Sequence, residues 1–139
     1  MEQVDARASE GLLVVCPTYD ERENVASFAR DVLGWAPRAN ILFVDDHSPD
    51  GTADVVRALG RVDPRISLLA RGGKWGLGTA YVDGFRWARE RGFRRVAQMD
   101  SDGSHAGRDL ARLLRVSETT GAELVLGSRN VPGGGVLGW

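Results

Sequence analysis

Several things are scarce in this chain, and each scarcity narrows what it does. Among its 139 residues Cys16 is the only cysteine, so an internal disulfide and a thiolate zinc cage are both excluded; the thiol reads as a small buried strand residue. There is no surplus of charge: eighteen basic and nineteen acidic residues leave a net charge of -1. With no general field to attract nucleic acid or an anionic membrane, a bound anion must be caught locally, and no nucleic-acid partner is expected. Long apolar runs are missing too, and nothing approaches the ~20 residues a membrane span needs. The opening MEQVDARASEG is polar and lacks the apolar centre of a signal peptide, so residues 1–10 read as a tail and the expected location is cytoplasmic.

What is present is alternation. Short apolar runs at Leu12 to Cys16, Ile41 to Val44, Ile66 to Ala70, Val96 to Met99 and Leu124 to Leu126 are separated by amphipathic segments, the pattern of βαβ units around a parallel sheet. Val25, Phe28, Ala29, Val32, Leu33 and Ala36 recur at helical steps before Pro37, which predicts a helix laid on the sheet. Thr52 to Val62, with Val55, Val56 and Leu59 inward, gives a second helix after the turn residues Ser48 to Gly51. The stripe Leu77, Ala80, Tyr81, Gly84 and Ala88 gives a third, with Gly84 a point of close backbone contact, and Leu110, Leu113 and Leu114 mark a fourth. Residues 11–139 therefore read as one α/β domain, and Gly133 to Gly138 as the start of a loop.

Ligands of parallel α/β sheets bind at the carboxyl ends of the strands. Carboxylates crowd those positions here: Asp20 and Glu21 follow the first run, Asp45 and Asp46 end the second, and Asp100 and Asp102 end the fourth. Like charges in one cleft repel, and an Asp-X-Asp pair at a strand end offers two hard oxygen ligands to Mg²⁺ or Mn²⁺, with other positions left for water and diphosphate oxygens. Of Asp45 and Asp46, one suits a ribose or base contact and the other an Asx turn. Ser104 and His105 lie near enough in sequence to complete a metal or phosphate shell; for His105 a plain loop role stays open, and for His47 a structural role is favoured. Arg71, Gly72, Gly73 and Lys74 precede the third helix and read either as an anion site or as an exposed basic loop. Arg129, after the fifth run, reads as an ion-pair partner or a phosphate clamp.

The strings PTYDERENV, VDDHSPDGT, GLGTAYVDGFRWA, QMDSDGSH and GSRNVPGGG, in this order and spacing, resemble the family-2 glycosyltransferases, and within them the polyprenol (dolichol) phosphate mannose synthases. The resemblance spans about residues 12 to 139. It implies a GT-A, Rossmann-like three-layer fold with a mostly parallel sheet, truncated at the C-terminus before the part that receives the acceptor. It implies a hexosyltransferase that moves mannose from GDP-mannose to a polyprenyl or dolichyl phosphate with inversion, using a divalent cation at the cytoplasmic face of a membrane, through peripheral contact or an anchoring partner. By resemblance, Pro17, Tyr19 and Glu21 border the nucleotide, Phe43 and Asp45 the base and ribose, Asp100, Ser101 and Asp102 the metal and diphosphate, and Arg129 the phosphates. Asp100 and Asp102 are the metal ligands; Asp102 and Arg129 carry the catalytic role.

The chain also departs from the family pattern. Asp20 stands where asparagine is usual and adds a charge beside the nucleotide. Ser101 and Gly103 make the acidic loop more polar and looser, and a usual proline is replaced in the stretch of Ala106 and Gly107. These changes are expected to alter metal affinity more than fold. Two other functions match parts of the pattern. An NAD-dependent oxidoreductase needs a glycine-rich first loop, which PTYDERE is not, and Gly76 and Gly78 follow the third strand without completing GxGxxG. A non-catalytic module, either receiver-like or a degenerate nucleotide-sugar binder, fits the acidic pair Asp45 and Asp46, but the Asp-X-Asp strand end does not suit a receiver.

Overall fold

The structure, a computed structural model, describes residues 9–128. Four strands alternate with four helices in the order β1 (Leu12–Thr18), α1 (Val25–Trp35), β2 (Asn40–Asp45), α2 (Thr52–Val62), β3 (Ile66–Ala70), α3 (Leu77–Glu90), β4 (Arg95–Gln98) and α4 (Gly107–Thr120). All pairings are parallel and the sheet order is β3-β2-β1-β4. The strand order reverses beside β1: β2 and β3 extend the sheet to one side, and α3 carries the chain back to place β4 on the other.

Both faces of the sheet are covered, which is why β1 is a nearly continuous apolar run and not an alternating one. Leu12, Val14, Cys16, Ile41 and Phe43 point to the layer that contains Val25, Phe28 and Val32 of α1, Val56 of α2 and Leu110 and Leu114 of α4. Leu13, Val15, Leu42 and Val44 point the other way, to Ala80 and Ala88 of α3. Small residues let α3 lie close: a Cβ on Gly84 would stand 2.4 Å from Val15 Cγ1. The close contact expected at Gly84 is therefore present. At the start of α4, a Cβ on Gly107 would stand 2.7 Å from the Asp31 carbonyl oxygen, and the Gly107 N–H donates to Asp31 Oδ2 at 2.7 Å. A proline there would lose that donor.

Three sequence expectations change. Leu124 to Leu126 forms no strand; Leu124 and Leu126 are 74% and 77% exposed, because no neighbouring strand accompanies them among the described residues. Leu77, assigned to the buried stripe of α3, is 57% exposed at the first turn, beyond the sheet it would have packed against. Leu113 is only half-buried, and Ala111 takes an inner position beside Trp35. No helix among the described residues is long and apolar enough to cross a membrane.

Candidate nucleotide-sugar site

The crevice outside the carboxyl ends of β1 and β4 is the point where the strand order reverses, the usual ligand position in an open parallel sheet. A cleft of about 280 Å³ opens there. One wall is the turn after β1, with Pro17, Tyr19 and Glu21; the other is the loop after β4, with Asp100, Ser101 and Asp102. Lys74, Gly76 and Leu77 close it from the start of α3. A larger depression of about 490 Å³ lies outside, lined by Asp20, Arg22, Glu23, Asn24 and Asp50. It lacks the apolar wall of a ligand pocket. Asp20 belongs to that outer hollow and not to the cleft, so its charge is not beside the cleft floor. Its backbone is left-handed, with φ 54°, a conformation that asparagine and aspartate tolerate better than other side-chain-bearing residues.

The acids of the cleft are held by local donors. Asp100 Oδ1 accepts from the Tyr81 hydroxyl at 3.1 Å. Asp102 Oδ1 accepts from the Ser104 amide at 2.9 Å and its hydroxyl at 2.5 Å, and these bonds hold the Asp102 carboxyl below the ordinary carboxylate range. Glu21 Oε2 accepts from Asn24 Nδ2 at 2.7 Å. Burial pushes the Cys16 thiol far up, and the nearby charges of Asp100, Glu21 and Asp102 add to the effect. One thiol beneath the cleft floor thus feels all three carboxylates. Burial, followed by the Asp100 charge, also pushes the Tyr81 hydroxyl far up, so it stays a phenol and a donor. The Ser101 hydroxyl is buried, with no well-formed hydrogen bond among the described residues and with the Cys16 thiol beside it.

Asp100 and Asp102 suit a hard divalent cation. Hydrogen bonds from the described residues reach both carboxylates through Oδ1, leaving Oδ2 of each for a metal. Among the described residues no group of three or more His, Cys, Asp or Glu side chains could hold a metal unaided. The fit is to Mg²⁺ or Mn²⁺, which are bound by one or two carboxylates plus water and substrate phosphates.

Several other expected site residues lie off the cleft or are engaged by neighbouring side chains. Phe43 is fully buried, its ring 5.9 Å from that of Phe28; alternation along β2 turns it to the α1 layer, and it is not among the residues that line the cleft. Asp45 is 1% exposed, accepts from Thr18 Oγ1 at 2.8 Å and from the Ser48 hydroxyl and amide, and makes the turn. Asp46 lines the cleft, but its oxygens are engaged by Arg71 Nε at 2.6 Å and by the Trp75 and Gly76 amides. Arg71, considered for anion binding, is instead buried, with further bonds to Thr79, Asp83 and the Gly76 carbonyl. Ser104 and His105 shape the acidic loop: His105 Nδ1 accepts from the Asp100 amide at 2.8 Å. His47 is an exposed turn residue with φ 58°. Arg129 lies outside the described residues. The Arg71 to Asp46 pair and the Tyr81 to Asp100 bond were missed, since each joins segments that only the folded chain brings together.

The model of Glycosyl transferase family 2 matches residues 13–139. The chain belongs to glycosyl transferase family 2. Among relatives, it is 46% identical over 134 residues to the polyprenol monophosphomannose synthase of Mycolicibacterium smegmatis, covering 96% of this chain and 50% of that protein. It is 44% identical over 128 residues to the undecaprenyl-phosphate mannosyltransferase of Micrococcus luteus, covering 92% and 52% respectively. The chain thus spans about half the length of these curated relatives. A mannosyltransferase from Pyrobaculum calidifontis, solved with GDP-Man and Mn²⁺, superposes with a TM-score of 0.51 at 21% identity over 60% of this chain and 26% of that one. This likeness supports the GT-A-like α/β fold of this family-2 member.

Proposed function

We propose that this chain supplies the donor half of a transferase that moves mannose from GDP-mannose to a polyprenyl phosphate with inversion. The observation that carries the proposal is the convergence of Glu21, Asp100 and Asp102 on one cleft at the point where the strand order reverses, in a chain 46% identical to a polyprenol monophosphomannose synthase. Pro17, Tyr19 and Glu21 border the nucleotide. Asp45 and Asp46 set the rim on which it rests, and Phe43 supports that rim from the core. Asp100 and Asp102 hold Mg²⁺ or Mn²⁺, Ser101 backs them, and Arg129 faces the phosphates.

The reaction is a single displacement: a lipid phosphate oxygen bonds to the anomeric carbon as the bond to the diphosphate breaks, and the nucleoside diphosphate leaves with the electron pair. A phosphate monoester has its second pKa near ~6 and is already ionised at neutral pH, so no strong general base is required. A bound divalent cation supplies charge neutralisation at the leaving diphosphate. The residues themselves orient the donor: Tyr81 fixes Asp100, and Ser104 fixes Asp102 in its ionised form. Because the acceptor is a lipid, the protein works at a membrane face by peripheral contact or through an anchoring partner.

A thermal-shift screen of GDP-, UDP- and dTDP-sugars with Mn²⁺ and Mg²⁺ tests the donor assignment, with GDP-mannose plus Mn²⁺ expected to protect most. Transfer of labelled mannose to a polyprenyl phosphate then separates a transferase from a unit that only binds the donor. Protection by NAD, with none from any nucleotide sugar, would reject the proposal.

A further inference from the structure

Lys74 is the only lysine in a chain whose other basic residues are all arginine, and it lines the cleft. Its Nζ lies 4.1 Å from the centre of the Tyr19 ring, which lines the same cleft. The carboxylates around it are not its partners: Asp46 is held by Arg71 and two amides, Glu21 by Asn24, and Asp102 by Ser104. Among the described residues Lys74 makes no ion pair, and its side chain is exposed on a loop whose base is pinned by the buried Arg71. An exposed cation–π contact is weak, whereas a charge-assisted bond to phosphate is one of the stronger polar contacts. An ammonium on a long flexible stem can exchange one for the other without moving the backbone.

We propose that Lys74 is a phosphate-binding residue of the cleft, parked on the Tyr19 ring until a phosphorylated ligand enters. The inference rests on the nucleotide-sugar reading of the cleft and adds a named cation to it. Glu21, Asp100 and Asp102 keep the wall net negative toward a diphosphate even with one divalent cation bound, since only Asp46 is paired, with Arg71; among the described residues Lys74 is the basic side chain that lines the same space. When it leaves Tyr19 it uncovers an aromatic face on which a base can stack. The same ammonium chemistry suits the diphosphate of a nucleotide or the phosphate of a lipid.

Calorimetric titration of the 139-residue chain and its Lys74→Ala and Lys74→Arg variants, with Mn²⁺ present, tests this. The ligands are GDP, guanosine, and a short polyprenyl phosphate in detergent. Lys74→Ala is expected to weaken GDP by roughly ten- to a hundredfold, the range for a bond to a charged group, with guanosine unchanged and part of the loss recovered in Lys74→Arg. Weakening of the lipid phosphate alone assigns the same residue to the acceptor phosphate. If the unaltered chain binds GDP and Lys74→Ala binds both phosphorylated ligands equally well, the Lys74 assignment is overturned and the proposed function stands. If the unaltered chain binds neither ligand, both fall. Lys74 acylation, followed by peptide mass, gives an independent check: GDP should protect it and guanosine should not.

Discussion

Arg71 Nε lies 2.6 Å from Asp46 Oδ1, the arginine side chain 2% and the aspartate 9% exposed. The pair ties the end of β2 to the loop before α3, and the same guanidinium bonds Thr79, Asp83 and the Gly76 carbonyl. Removing one partner leaves the other charge buried, which costs ~3–5 kcal/mol. Arg71→Ala should lose about that much stability in urea titrations. Arg71→Lys should lose less, since it keeps the charge but not the fork.

Gly84→Ala forces a methyl to within 2.4 Å of Val15 Cγ1, and Val15 is fully buried. Overpacking of this kind costs ~1–3 kcal/mol. Val15→Ala should recover part of the loss in the double variant, measured as a coupling energy in a double-mutant cycle.

Asp102→Ala should abolish Mn²⁺-dependent binding of GDP-mannose by calorimetry while leaving the thermal midpoint close to that of the unaltered chain. The residue is exposed and its bonds are to its neighbour Ser104. Normal metal-dependent binding by the variant would reject the metal assignment.

Acid stability should depend on Asp50 and Asp63. Partial desolvation raises the Asp50 pKa, but the hydrogen bonds from Thr52 and from the Arg22 amide outweigh it and leave it lowered. Asp63 is lowered chiefly by the Arg65 side chain. A depressed native pKa means that the stabilisation is complete above the unfolded value near ~3.9 and is lost as pH falls through the native value. Asp50→Asn should therefore unfold more easily at neutral pH and lose less stability below about pH 4. Chemical denaturation across that range measures both.

Cys16 should be inert in the folded protein. It is fully buried and its thiol is pushed up by burial, and the reactive form of cysteine is the thiolate. Its alkylation rate should follow the unfolded fraction as urea is raised; rapid reaction under native conditions would contradict the placement.

Much of this was legible along the chain. The alternation of apolar runs and helical stripes located four strands and four helices, because burial on both faces of a parallel sheet leaves an unbroken apolar signature at Leu12 to Cys16 and Ile41 to Val44. The rule that ligands sit at strand ends picked out Glu21, Asp100 and Asp102, which do share a cleft. The same local reasoning gave a strand at Leu124 to Leu126, where the propensity is present but a pairing partner is not.

Residue type and spacing over a few turns fix the family, the α/β alternation and the strand ends beside which the cleft opens. The folded chain is needed to show that Asp45 is the acid that makes the turn, that Asp46 anchors the rim, that Arg71 is buried against it and that Lys74 reaches Tyr19. Apart from the local bonds of Ser48 to Asp45, those outcomes depend on contacts between segments 25 to 55 residues apart, whose partners are chosen by sheet register and loop closure. No local pattern encodes that choice.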